Sequence, residues 1–199
     1  NTCPTPVLSP TGVRTGRVTI ADGNFLDLGS VTFSFSVRNM SDADHDLHPV
    51  SAIPHGWFRR GMMKINGSVV DDVAFMSRCE ESISRFVSTN KRRCWGDSAH
   101  GLATLTDAGN DATSKVIQKG RSQQVSWRPL SMGFLNNSKY LPCLGGSAGG
   151  VEFTFELADL NDAVLTGVNQ SALWQIENFQ VHCDSVSLTS ELTNSYAQM

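Results

Sequence analysis

The stretch with the most obvious capacity for chemistry is Gly145–Gly149, whose sequence Gly-Gly-Ser-Ala-Gly fits the G-x-S-x-G pattern of hydrolase nucleophiles. In that pattern the serine, here Ser147, lies on a sharp turn between a strand and a helix. In this chain a proline-containing loop precedes the stretch, and the strand-like segment Val151–Leu157 follows it. The context therefore favours a glycine hinge between two strands over a hydrolase site.

Other candidate catalytic side chains do not form a recognisable set. The order Ser147, Asp159 or Asp162, His182 imitates a hydrolase triad, but the alternating strand–helix pattern of such a fold is missing. His182 and Cys183 are adjacent on a predicted strand, so their side chains point to opposite faces. We predict no catalytic residue and no cofactor, and we interpret the chain as a protein that is not an enzyme.

Two further clusters consist of residue types that bind ions or phosphate. The segment Asp42–His48 contains three aspartates and two histidines, which are common metal ligands. Nothing in the sequence fixes their geometry, so a solvated loop without a metal is the prediction. Lys91, Arg92 and Arg93 could contact genome phosphate, or they could complement the carbonyl end of a preceding helix.

Composition indicates a globular protein. The 199 residues are 40% hydrophobic and 18% charged, which fits one domain with a sizeable core. No apolar run reaches the length of a bilayer, so no membrane span is predicted. The five cysteines are an odd number without a C-x-x-C pair, which favours free thiols in a reducing compartment over a secreted disulfide framework.

Charge is distributed unevenly along the chain. All sixteen Lys and Arg residues lie between Arg14 and Lys139, so the first 139 residues carry sixteen basic and twelve acidic side chains, a net charge of +4. The last sixty residues carry seven acidic side chains and no Lys or Arg. This asymmetry could favour association between unlike faces of neighbouring copies, or the strand order could mix the charges in space.

Two segments have the strict alternation of half-buried antiparallel strands. Val31–Asn39 and Val151–Leu157 each place apolar side chains on one face and polar side chains on the other. Residues 1–30 lack such periodicity and are rich in Pro and Gly, so we interpret them as an N-terminal arm with one short strand, Arg17–Ala21.

Two local features predict how other strands turn or bend. Asn66 and Gly67 separate the extended runs Trp57–Ile65 and Ser68–Val70, and this dipeptide is the strongest short-range signal for a β-hairpin. Leu173–Leu188 also alternates, but its phase shifts by one residue at Asn178, which predicts a bulge or a bend.

One strong helix is predicted in the body of the chain. Asp71 or Asp72 is the expected cap, and the inward face is expected to be apolar. That face comprises Val73, Met76, Cys79, Ile83, Phe86 and Val87, with Glu80, Glu81, Ser84 and Arg85 mostly opposite. A second, short helix is predicted over Glu191–Met199, capped by Thr189 or Ser190.

Three segments together resemble a known family. They are Trp57–Val73, Val125–Leu157 with its Pro-Leu, Tyr-Leu-Pro and Phe-Thr-Phe-Glu-Leu motifs, and Trp174–Met199. Their order resembles the first jelly roll of the double jelly-roll major capsid proteins of icosahedral DNA viruses. This chain differs from the family in lacking a second roll, and it has Thr-Ser-Glu-Leu at 189–192 where the family more often has an aspartate and a basic residue.

The resemblance implies a structural viral capsid protein. Such a protein self-assembles into trimeric capsomers and an icosahedral shell, contacts other capsid proteins, is assembled inside the host cell and resides in the virion. The chain is then either a single-roll relative, similar to the capsid proteins of RNA viruses, or one portion of a longer double jelly-roll protein. A carbohydrate-binding or cupin-like jelly-roll module is the alternative.

The residue pattern by itself fits an eight-stranded antiparallel sandwich, because it combines many short strands, long polar loops and one inserted helix. With the resemblance added, we predict an all-β, antiparallel eight-stranded jelly-roll sandwich with one inserted helix and a short C-terminal helix. Residues 1–30 are assigned to the arm and residues 31–199 to a single jelly-roll domain.

Overall fold

The structure is a computed structural model, and it describes residues 3–4, 7–21, 23–51, 54–87, 103–104, 113–137, 139–143, 150–189, 191–192 and 195. Within this part of the chain lie the strands β1 (Val7–Leu8), β2 (Thr15–Ile20), β3 (Phe25–Asn39), β4 (Phe58–Ile65), β5 (Ser68–Ala74), β6 (Ala103–Thr104), β7 (Thr113–Ser114), β8 (Ser122–Trp127), β9 (Tyr140–Pro142), β10 (Val151–Leu157) and β11 (Trp174–Val186). The helix α1 spans Met76–Arg85. No helix among the described residues is both long enough and apolar enough to span a membrane.

The strands form two antiparallel sheets with the topology of a jelly roll. One sheet has the order β1-β11-β3-β8, with β9 paired to the start of β3, and the other has the order β2-β10-β4-β5. Along the chain the pairs are nested: β1 with β11, β2 with β10, β3 with β8 and β4 with β5. Eight strands that pair in this nested order and divide between two sheets form a jelly roll. The predicted eight-stranded sandwich is therefore confirmed.

Residues 1–30 supply the first two strands of this roll. Strand β2 pairs with β10 from Val151 to Glu156, and β1 pairs with β11. The described part of the expected arm is therefore built into both sheets. Its alternation is hard to recognise because one inward position of β2 is Gly16, where an added Cβ would lie 2.6 Å from a methyl carbon of Leu8.

The two sheets enclose an aromatic core. The Phe33 ring contacts Phe153 and Phe155 edge to face, with centroids 5.1 and 4.8 Å apart, and Phe58 stacks on Trp127 at 5.0 Å. All five rings are fully buried, and such pairs add about 0.5–1.5 kcal/mol each beyond area burial. The inward faces predicted for Val31–Asn39 and Val151–Leu157 are therefore confirmed.

The predicted turn and bulge are also confirmed. Asn66 and Gly67 connect β4 and β5 with φ of 51° and 79°, the positive values that a type I′ hairpin turn requires. Asn178 has φ of 55°, and the register of β11 against β3 shifts between Glu177 and Gln180. The bulge lets Phe179 return to the core after the break in phase.

The predicted start of the helix was wrong. Asp71 and Asp72 lie in β5, and α1 begins only at Met76, after Phe75 in a left-handed conformation without a side-chain cap. The strand extends to Ala74 because it continues its pairing with β4. Of the predicted C-terminal helix Glu191–Met199, the structure describes residues 191, 192 and 195, which are helical.

Candidate interaction surface

The residues whose order imitates a hydrolase triad, for which no catalytic role was predicted, are not brought together among the described residues. Asp159 forms an ion pair with Arg14 at 2.7 Å, while Nε2 of His182 lies 2.7 Å from Oγ of Ser34. Leu160, the neighbour of Asp159, accepts a hydrogen bond from the Trp174 indole at the start of β11, and His182 is eight residues further along that strand. Ser147 and the rest of the glycine stretch 145–149 lie outside the described residues, as do Lys91, Arg92 and Arg93.

The loop Asp42–His48 is held by backbone hydrogen bonds. The Leu47 amide donates to the Ile117 carbonyl at 2.9 Å, and the Ser171 amide donates to the Asp46 carbonyl at 2.8 Å. In the described part of the chain no three His, Cys, Asp or Glu side chains are grouped closely enough to hold a metal ion.

A surface hollow of about 380 Å³ lies between the end of β2 and the segment Val181–Ser185 of β11. The residues that line it include the polar His182 and Asp184 and the aliphatic Ile20 and Ala21. None of these described lining residues is Phe, Tyr or Trp, so the hollow lacks the large apolar ring that small-ligand sites commonly use.

Helix α1 packs on the roll mainly through polar side chains. Glu80 is only 2% exposed, and its Oε1 accepts hydrogen bonds at 2.6 Å from both the amide and the hydroxyl of Ser131. Ser84, one turn further on, is also buried and donates to the Glu81 carbonyl at 2.8 Å. The apolar anchor of this face is Met76, which is fully buried at the start of the helix.

The same region contains a second set of polar contacts. His55 is buried, and its Nε2 lies 3.1 Å from Oε2 of Glu81. The hydrogen bond to His55 lowers the pKa of the Glu81 carboxyl, with a smaller contribution from Arg85. In addition, the Asp71 carboxylate accepts a hydrogen bond from the Phe134 amide at 3.2 Å, which joins β5 to the segment after β8.

Because its polar side faces the roll, α1 presents an apolar stripe to solvent. We call this stripe, formed by Phe75, Cys79, Ile83 and Phe86 together with the charged Arg78, the helix patch; their spacing places them on one helical face. Phe86 is 92% exposed, Phe75 55% and Ile83 37%. The predicted inward face was therefore wrong for Cys79, Ile83 and Phe86, whereas Met76 of that face is buried. The hydrogen bonds of Glu80 fix the side of the helix that carries Met76, Glu80 and Ser84 to the roll.

The start of the helix patch is conformationally strained. Phe75 has φ of 54° and ψ of 43°, a left-handed conformation that is rare for a bulky side chain. It costs roughly 1–2 kcal/mol for an L-residue. The exposed ring lies under the Arg78 guanidinium, whose carbon is 5.6 Å from the ring centroid. Such strain is concentrated at functional sites in proteins.

A second exposed apolar surface is built by the β3–β4 and β10–β11 connections. Backbone hydrogen bonds join these loops: the Met40 amide donates to the Leu173 carbonyl at 2.9 Å, the Val50 amide to Ala163 at 3.0 Å and the Leu165 amide to His48 at 2.8 Å. The exposed apolar residues Met40, Val50, Leu165, Val168 and Leu173 form what we call the loop patch. Val168 is 92% exposed.

Strand order mixes much of the charge asymmetry within one copy. Glu152 of β10 forms ion pairs with Arg17 and Lys64 on the two neighbouring strands, and Glu177 pairs with Arg38. Around the loop patch the pattern is different. Asp42, Asp44 and Asp162 are exposed there and form no ion pair within the described residues. The exposed cations Lys115, Lys119 and Arg121 lie on the neighbouring segment, and Lys119 donates to the backbone carbonyl of Asp42 at 2.7 Å.

Neither patch could be recognised from the sequence. The apolar positions of α1 have the spacing of a core-facing helix, and only the contact of Glu80 with Ser131, 51 residues away, shows that they face outward. The loop patch depends on two connections that approach each other only in the folded roll. The sequence feature that could have indicated the loop patch is the presence of apolar residues such as Val168 in a turn-rich loop.

A scan of protein-family models and a search of curated proteins found no match. Solved structures with a similar fold include the major capsid protein of mavirus, with a TM-score of 0.50 and 7% identity over 96% of this chain and 47% of that chain. VP54 of PBCV-1, fitted into a cryo-EM reconstruction of the virophage Sputnik, matches with a TM-score of 0.45 and 10% identity over 93% and 41%. The chain thus spans less than half the length of each. The predicted resemblance to jelly-roll viral capsid proteins is confirmed at the level of the fold.

Proposed function

We propose that this chain is a structural subunit of a viral capsid, whose copies associate as trimers that build an icosahedral shell. The observation that carries the proposal is a jelly roll that presents exposed apolar side chains to solvent at the helix patch and the loop patch. Exposed apolar surfaces of this kind mark sites of protein association. The fold shared with the mavirus major capsid protein supports the same function.

The proposal extends to location and partners. The protein belongs to the virion and is assembled in the interior of the host cell, where other capsid proteins are further partners. Contact of Lys91, Arg92 and Arg93 with the genome is a minor part of the proposal, resting only on their charge. The protein acts through its surfaces and not through catalysis.

The direct test is electron microscopy of the purified protein, combined with light scattering after size-exclusion chromatography. We expect trimers or uniform particles, and Ser147→Ala should leave their formation unchanged. A protein that remains monomeric at all concentrations and is retained on a glycan column would instead support the carbohydrate-binding alternative. Labelling of Ser147 by a fluorophosphonate would support a hydrolase.

A further inference from the structure

We draw no further inference here: the strongest candidate, the outward apolar face of helix α1 at Phe75, Ile83 and Phe86, carries none because nothing in the described part of the chain shows what covers it.

Discussion

Strand β10 and helix α1 are both amphipathic, and they bury opposite kinds of face. In β10 the apolar side chains Val151, Phe153, Phe155 and Leu157 are fully buried between the sheets. In α1 the buried positions include Glu80 and Ser84, and the apolar stripe faces solvent. An alternating pattern thus shows which side of an element is apolar, whereas only the contacts of the folded chain show which side is inside.

The difference follows from the partners of each element. Strand β10 is central in its sheet, so both backbone edges are paired and its apolar face has the opposite sheet to pack on. Helix α1 packs against β4 and the turn at Pro54–Trp57, with Met76 beside Gly61, and the backbone amide and hydroxyl of Ser131 both donate to Glu80. A buried carboxylate that accepts two such hydrogen bonds defines the orientation of the helix strongly.

The largest expected effect contrasts Phe155 with Phe86. Phe155→Ala removes a fully buried ring that contacts Phe33 and Phe58, and should lower the free energy of unfolding by about 3–5 kcal/mol. Phe86→Ala removes an exposed ring and should change the stability of the dilute monomer by less than about 0.5 kcal/mol. Urea unfolding followed by circular dichroism measures both. Equal losses would show that the helix patch belongs to the core.

The next effect concerns the polar attachment of α1. Glu80→Ala leaves the half-buried Ser131 amide without its acceptor and should cost about 1–3 kcal/mol. Glu80→Gln keeps an acceptor oxygen and should cost less. Ser82→Ala, on the exposed side of the same helix, is the matched control and should be nearly neutral. If Glu80→Ala were also neutral, polar contacts would not determine which face of α1 is buried.

A smaller effect tests the strain at Phe75. Phe75→Gly and Phe75→Ala lose the same ring contacts, but only glycine adopts the left-handed conformation without a steric penalty. The glycine variant should therefore be more stable by about 1 kcal/mol in the same urea experiment. At Ser82, inside the helix, the alanine variant should instead be more stable than the glycine variant, because alanine is the better helix former. Both Phe75 variants should associate more weakly than the unaltered chain.

Most of the roll could be predicted from the sequence because its strands report their environment locally. Alternation in Val31–Asn39 and Val151–Leu157 reflects a sheet with one buried face, and the hairpin and bulge at Asn66 and Asn178 follow from residues that tolerate positive φ. Strand β2 was incompletely recognised because Gly16 interrupts its apolar pattern. Each of these signals depends on neighbours in sequence.

The candidate site could not be predicted in this way, because it depends on contacts between distant residues. Propensity gave a helix near residue 80, but the pairing of Asp72 with Arg60 of β4, at 2.6 Å, extends β5 through the predicted cap. The buried partner of Glu80 is likewise far away in sequence. Surfaces for association follow from what remains uncovered after folding, and local periodicity does not contain that information.

The smallest effect is a pH dependence at the attachment of α1. Hydrogen bonding to His55 lowers the pKa of Glu81 in the folded state below its ordinary value of 4.5. The folded state therefore binds this proton less readily than the unfolded chain does, so the contribution to stability is present above pH 4.5 and is lost as the pH falls through the lower, folded-state pKa. Because Glu81 is 41% exposed, the contribution should stay within the range of exposed pairs, about 0.2–1 kcal/mol.

Glu81→Gln tests this dependence, because glutamine keeps the shape of the side chain and does not titrate. Urea unfolding of the dilute monomer at pH 6 and below pH 4 should show a smaller loss of stability on acidification for this variant than for the unaltered chain. Asp72→Asn is the control: the hydrogen bond to Arg60 lowers the pKa of Asp72 too, but this pair joins β4 and β5 and does not contact α1.

Because the helix patch moves with α1, acidification should weaken association of the unaltered chain more than that of Glu81→Gln. An equal response of the two proteins would show that the His55–Glu81 contact does not hold the helix patch in place.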